Sequence, residues 1–160
     1  MIKDIKSIVA GGISAYTGKP VVFSKQNEEM PEYPYISYTI TTHASGNNGT
    51  YEEYADGLKR KLVTHIWSIT SNSDDYQEAV SLAEKAREWL ELIGATILSD
   101  NNIVVQSVGD ITDRSNVISI DYQYSFGFDC FFYVFDEIRP TENYGDGVIE
   151  EVKINESQVR

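Results

Sequence analysis

Three segments of the chain alternate between apolar and polar residues, which is the pattern of strands that bury one face. In the segment 35–42, isoleucine and tyrosine alternate with serine and threonine. The segment 59–70 carries apolar residues on both faces. The longest alternation covers 118–128, and the apolar run 130–135 then breaks it. A bulge, or burial of both faces, would account for this break.

Apolar residues at helical spacing predict two helices. The first begins at Ile2 and ends near Gly11-Gly12 or Thr17-Gly18. The second covers 74–93, with Ser71-Asn72-Ser73 as candidate N-caps, Asp74-Asp75 complementing the helix dipole and Gly94 as a left-handed C-terminal residue. Its expected buried stripe consists of Tyr76, Val80, Ala83, Ala86, Leu90 and Ile93.

The remaining segments predict short strands, a loop and a tail. We expect strands at 21–23, at 95–98 and at 103–108. The polar, glycine-rich segment 43–57 indicates a long exposed hairpin loop. The segment 136–160 has few apolar residues for a core element, so it indicates either an arm that pairs with a neighbouring sheet edge or a self-packed final strand.

These elements predict a single α+β domain that spans residues 1–160. Its sheet is mixed and mainly antiparallel, and one long helix and one short helix pack on it. A long hairpin loop and an extended C-terminal arm, residues 136–160, complete the expected architecture.

The charge of the chain limits its partners. Twenty-five acidic residues against thirteen basic ones give a formal charge of -12, which opposes sequence-specific binding to nucleic acid through a broad basic face. An acidic wall would nevertheless suit a channel that lets DNA pass without gripping it. The sequence contains no apolar stretch of membrane-spanning length, so we expect no membrane partner.

The candidate reactive residues do not form a catalytic pattern. His43 lies in the expected loop and His65 lies in mid-strand, outside any metal-binding motif. Cys130, the single cysteine, lies in an aromatic run that predicts a buried thiol. We therefore expect no enzyme activity, no metal and no cofactor. The abundant tyrosine and phenylalanine leave open a groove that binds sugars or bases, although core packing explains them more simply.

Several segments together resemble the neck or tail terminator proteins of tailed bacteriophages. They occur in the expected order along nearly the whole chain, although none is a catalytic signature. The segments are Tyr16–Val22, Pro34–Tyr38, Ile66–Ser68, Ala86–Leu90, Ile111–Arg114, Tyr122–Asp129 and Ile149–Val152.

This resemblance implies a structural virion protein of the tail or neck that assembles in the host cytoplasm. It implies a homo-oligomer, a hexameric ring, that caps the tail tube, ends tail polymerisation and joins the tail to the head. The implied partners are the tail tube protein, the head connector protein and genomic DNA that passes through the lumen without sequence-specific binding. Two alternatives stay open: an adjacent head-tail connector ring protein, and a non-viral binding module with an aromatic groove.

Exposed loop and arm residues are the expected contacts with neighbouring subunits or with the tail. The loop supplies Asn47, Asn48, Tyr51 and Tyr54. The arm supplies Tyr144, Val148, Ile149, Val152 and Ile154.

Overall fold

A mixed sheet with helices on one side forms the structure, a computed structural model that describes residues 2–45, 49–115 and 123–139. The elements in chain order are α1 (Ile2–Thr17), β1 (Val21–Phe23), β2 (Tyr35–Ser45), β3 (Glu52–Ala55), β4 (Leu58–Ser73), α2 (Tyr76–Glu88), a π-helical turn (Trp89–Ile93), α3 (Ala95–Asp100), β5 (Val104–Val108), β6 (Thr112–Asp113) and β7 (Tyr124–Ile138). The predicted α+β class is confirmed.

The sheet is organised around the two long strands β4 and β7. Its main path is β1-β2-β4-β7-β5, while β3 pairs with β4 and β6 pairs with β7. Strands β1 and β2 are parallel, and the other pairs are antiparallel. The ladder between β4 and β7 runs from the pair Lys59 and Ile138 to the pair Ser73 and Tyr124 without a register shift.

Strand β7 corrects the prediction for the apolar run 130–135. The alternation of 118–128 continues through this run. Cys130, Phe132 and Val134 are buried, whereas Phe131, Tyr133 and Phe135 on the other face are half-buried. No bulge separates β7 from β4, and the second face is only half-buried. The sheet therefore has a covered face, against which the helices pack, and an open face.

Helix α1 continues through Gly11-Gly12 and ends at the later of its two predicted positions. Gly18 adopts a φ of 72° after the last helical residue. Gly12 lies against the indole ring of Trp89, where an added Cβ would stand 2.1 Å from the Cζ2 atom. The glycine therefore permits close packing of α1 on the π-helical turn.

Gly94 does not have the predicted left-handed conformation. Its φ is -88°, and an added Cβ would stand 2.3 Å from Cε2 of Trp89. The N-cap also differs from the predicted Ser71-Asn72-Ser73: it is Asp75, whose carboxylate accepts a hydrogen bond of 3.1 Å from the Glu78 N–H. Gly94 is thus required by a close side-chain contact, which local sequence does not reveal.

The predicted buried stripe of the second helix is partly wrong. Ala83, Ala86 and Leu90 are buried, but Tyr76 and Ile93 are 52% and 47% exposed. Tyr76 is the first residue of α2, and its ring packs edge-on against Tyr124 and Phe126 while half of it stays exposed. The π-helical turn widens the helix before Ile93, which rotates that residue away from the stripe.

Two further segments differ from their predictions. The segment 95–98 lies in α3, because the chain continues helically after Gly94, whose carbonyl accepts a hydrogen bond of 2.9 Å from the Leu98 N–H. The expected loop 43–57 contains the end of β2 and the whole of β3, which turns tightly at Gly57 into β4. The predicted strand at 103–108 is confirmed as β5.

His65 lies in the core of the covered face and is 2% exposed. Within the described part of the chain, neither of its ring nitrogens has a hydrogen-bond partner. Burial lowers the pKa of this imidazole, nearby His43 lowers it further, and Asp136 partly opposes them. In the folded protein, His65 therefore stays neutral at pH values below the usual pKa of a histidine, where an exposed imidazole would already be protonated.

The contact between Gly12 and Trp89 predicts opposite effects for two adjacent glycines. We expect Gly12→Ala to lower the free energy of unfolding by about 1–3 kcal/mol, because the added methyl group overlaps a rigid buried ring. Gly11→Ala is the matched control, since a Cβ there meets nothing within 4 Å. It should raise stability by about 0.5–1 kcal/mol, as alanine does in an exposed helix. Equal effects of the two substitutions in urea unfolding would disprove the packing role.

The buried His65 predicts a loss of stability in mild acid. The unfolded chain binds a proton as the pH falls below about 6.5 whereas the folded chain does not, so the free energy of unfolding falls by up to about 1.4 kcal/mol per pH unit. His65→Leu should flatten the pH dependence between about pH 7 and pH 5 in urea unfolding. His43→Gln should keep most of it, because burial is the largest cause of the shift. An unchanged slope in His65→Leu would contradict this assignment.

Candidate assembly surfaces

The open face of the sheet is polar at one end, where Arg114 crosses it. The Arg114 Nη1 atom donates to Ser68 Oγ at 2.6 Å and to Thr70 Oγ1 at 3.0 Å, and Nη2 pairs with Asp129 at 3.2 Å. Gly127 lies beneath the guanidinium group, and an added Cβ there would stand 2.8 Å from Nη1. The sheet therefore holds this cation through its own side chains.

A second polar group extends the same end of the open face around Asn72. The Asn72 carbonyl oxygen accepts hydrogen bonds from Gln123 at 2.8 Å and from Ser125 at 2.9 Å. Its amide nitrogen donates to Ser37 at 3.2 Å, and the Tyr33 hydroxyl donates to Gln123 at 2.8 Å. These side chains satisfy one another, so their arrangement stabilises the fold and needs no ligand.

The other end of the open face is apolar and aromatic, and we call it the sheet patch. Leu62 pairs across the ladder with Phe135, and Val104 pairs with Tyr133. Leu62 is 38% exposed, and Val104 is 52% exposed. The sheet patch consists of Tyr54, Arg60, Leu62, Val104, Tyr133 and Phe135.

Arg60 is the cation of the sheet patch. Its guanidinium carbon lies 3.6 Å from the ring centroid of Tyr54 and 3.9 Å from that of Phe135. Such stacking holds the planar group in place while its N–H donors stay available. None of the carboxylates in the described ranges forms an ion pair with Arg60.

Exposed apolar residues also occur at the end of the helical layer. Leu92 is 69% exposed, Ile93 is 47% exposed and Ile97 is 52% exposed. Leu92 and three carboxylates line a shallow cavity of about 280 Å³. We call this surface the helix patch, and it consists of Glu84, Glu88, Glu91, Leu92, Ile93 and Ile97.

Two carboxylates of the helix patch have contacts within the chain. Glu91 pairs with Arg87 at 2.9 Å. Glu88 accepts a hydrogen bond of 3.0 Å from the Tyr16 hydroxyl, and this hydrogen bond is the largest cause of a raised pKa at that tyrosine. Arg87 thus lies among the carboxylates of the helix patch, and in the sheet patch Arg60 lies between Glu52 and Glu137, its partners on the two adjacent strands.

Of the residues predicted to make contacts, the structure describes only Tyr51 and Tyr54, which are 38% and 56% exposed. The Tyr51 hydroxyl donates to Asp136, which raises the tyrosine pKa, and Lys61 lies 4.8 Å from its ring centroid. Tyr54 contacts Arg60 instead, on the other side of the strands. The two tyrosines therefore do not share one surface.

The other predicted contact residues lie outside the described residues. They are Asn47, Asn48, Tyr144, Val148, Ile149, Val152 and Ile154. Of the predicted arm, Asp136–Ile138 form the end of β7 and residues 140–160 lie outside the described ranges.

Sequence reasoning missed most of the sheet patch, including Arg60, Leu62 and Phe135. The available signal was the presence of apolar residues on both faces of the segments 59–70 and 130–135. Extending the alternation of 118–128 through the second segment would have assigned Tyr133 and Phe135 to one exposed face.

The reactive groups that the sequence raised are poorly placed for chemistry. Cys130 is buried, and burial raises the pKa of its thiol well above the usual range, which opposes formation of the nucleophilic thiolate. In the ranges that the structure describes, no three histidine, cysteine or acidic residues form a group that could hold a metal ion. None of the helices in those ranges is long and apolar enough to cross a membrane.

Comparisons with known proteins supply the family. A comparison with curated protein sequences finds no match. One solved structure aligns over 83% of this chain and 92% of its own length, at 10% identity and a TM-score of 0.39. The family model described as phage neck terminator protein matches residues 1–158. This match covers nearly the whole chain and confirms the resemblance seen in its motifs, so the chain belongs to the phage neck terminator protein family, a family of structural proteins of the phage tail and neck.

Proposed function

We propose that this neck protein caps the tail tube as a hexameric ring, ends tube growth and presents the surface that joins the tail to the head. The observation that carries the proposal is the family match over residues 1–158. The partners in this proposal are further copies of the chain, the tail tube protein and the head connector protein.

Exposed surface at the hairpin of β3 and β4 supports a role in assembly. All four residues of β3 are exposed; Tyr54 is one of them, and Tyr51 directly precedes the strand. Each tyrosine ring is held by a neighbour, since Lys61 lies over Tyr51 and Arg60 lies over Tyr54. Rings that are already positioned lose little conformational freedom when a partner binds.

Covering the end of the tube would end its growth in a simple way. The next tube subunit adds to the exposed end, so a ring seated there removes the surface on which it would dock. The same ring then offers its other side to the head connector. The formal charge of -12 supports a lumen through which genomic DNA passes without being gripped.

The tail-length distribution of a phage that lacks this protein tests the proposal. We expect tubes of excessive and variable length that are not joined to heads, because nothing stops tube growth or bridges the joint. Electron microscopy of negatively stained lysates measures the tube length and the fraction of joined particles.

A wild-type copy supplied in trans is the control and should restore a single tail length. Tails of normal length that remain unjoined would instead assign the protein to an adjacent connector ring. Normal joined particles in the absence of the protein would contradict both roles.

A further inference from the structure

Two cavities lead from the point where the chain leaves β7 to the outer edge of β5. We propose that the chain's own segment 148–154 returns along these cavities and adds to β5 as a further strand, parallel to it. This inference goes beyond the proposed function and does not rest on it. The segment lies outside the described residues, whereas the surface that receives it is described.

The outer edge of β5 can accept another strand. Strand β5 ends the main path of the sheet, and none of the described strands pairs with its outer edge. Among the described residues, the backbone of 104–107 has no hydrogen-bond partner outside the ladder with β7. The strand has one bulge, at Gln106, but it contains no charged residue and no proline that would oppose further pairing.

A groove runs beside this edge. All five residues of β5 line a cavity of about 380 Å³, together with the apolar side chains of Leu90, Ala95 and Leu98. Successive side chains of a strand point to opposite faces of the sheet. A strand added along β5 would therefore direct every second side chain into this cavity.

A second cavity connects the groove with the end of β7. Its volume is about 430 Å³, and Ile138 and Arg139 line it together with Ile5 and Ile8 of α1. Ile103, the residue before β5, lines both cavities. The two cavities therefore meet at Ile103, and together they lead from the last described residue to the edge of β5.

The segment 148–154 has the alternation that this edge requires. In an extended chain, Val148, Val152 and Ile154 fall on one face together with Glu150. The other face carries one isoleucine and two charged residues. The first face suits the apolar cavity beside β5, and the second suits the open face of the sheet.

The reach of the chain determines the direction of the added strand. Val104 lies opposite Tyr133, so the end of β7 at Ile138 stands about 20 Å from the position beside Val104, counted along the strand and across two strand spacings. The residues 139–147 can span at most about 30 Å. Beginning beside Val108 instead would take about 29 Å, nearly the whole of that span. The returning segment therefore meets Val104 first and runs in the direction of β5.

The short connection also favours the chain's own segment over that of another copy. A segment joined by a short flexible linker has an effective concentration in the millimolar range at its binding site. The segment of another copy matches this only when the protein itself reaches about 1 mM. At lower concentrations each subunit covers its own edge, and a covered edge does not pair with the edges of other subunits.

Photochemical crosslinking of the purified full-length protein tests the proposal. A benzophenone amino acid replaces Gln106, which is exposed and lines the cavity beside β5. At about 10 µM, about a hundredfold below the effective concentration, illumination should give a product of monomer mass. Mass spectrometry of its proteolytic fragments should place the crosslink within residues 148–154.

Proline variants show whether this crosslink reports a paired strand. In the photoreactive protein, Val152→Pro with Lys153→Pro should lower the crosslink yield about tenfold. Consecutive N–H groups of a strand point to opposite sides, so one of the two prolines removes a ladder hydrogen bond and leaves its acceptor unpaired. Ser157→Pro with Gln158→Pro is the matched control beyond the segment, and it should keep the yield.

Three results would overturn the proposal. They are a crosslink to 148–154 in a product of dimer mass, which would assign the edge to another copy, the absence of any crosslink to 148–154, and equal yields from the two proline pairs. The same benzophenone at Met30, which is 39% exposed in the loop between β1 and β2, should not reach 148–154. Circular dichroism checks each variant, and Val104, which is 52% exposed, replaces Gln106 as the labelled residue if that variant does not fold.

The outcome is independent of the proposed function. The crosslink is measured on free subunits, whereas the capping role is measured by tail length in the absence of the protein. A crosslink to 148–154 together with normal tails would keep the covered edge and overturn the capping role. Abnormal tails without the crosslink would support the capping role and overturn the covered edge.

Discussion

The ladder between β4 and β7 is the constraint on which the rest of the structure depends. It pairs every residue of β4 from Lys59 to Ser73 without a register shift. Strands β2, β3, β5 and β6 each pair with one of these two, and β1 pairs with β2. Because side chains alternate along a strand, this single register assigns each residue to the covered or the open face. Trp67 and Phe132 thus meet on the covered face, with ring centroids 5.6 Å apart.

The helices cover only one of the two faces that this register creates. The indole of Trp89 packs against Gly12 of α1 and against Gly94, and it also belongs to the main hydrophobic core. This one ring therefore joins α1, the π-helical turn and the sheet. On the open face, the polar end satisfies its own hydrogen bonds around Arg114, whereas the apolar end around Arg60 does not bury its side chains. An assembly protein gains from this asymmetry, since the surface left exposed in the subunit is the one that a neighbouring copy can cover.

The sequence predicts the strands and helices that have a strong periodicity of apolar residues. It does not predict features that depend on a contact between residues distant in the chain. Alternation located β2, β4 and β7, and helical spacing located α1 and α2. The short run 95–98 contains too few residues to separate a strand from a helix, and the role of Gly94 depends on Trp89. The candidate contacts were chosen for exposure alone, so they include Tyr54 but not Arg60, whose place on the sheet patch depends on the register with β7.

Electron cryo-microscopy of the intact phage neck tests most directly the claim that the open face of this protein is an assembly surface. The account predicts a hexameric ring of this chain between the last tube ring and the head connector, with the sheet patch of each copy covered by a neighbouring subunit. A ring in which Leu62 and Tyr133 face solvent, or a neck that lacks the chain, would contradict it.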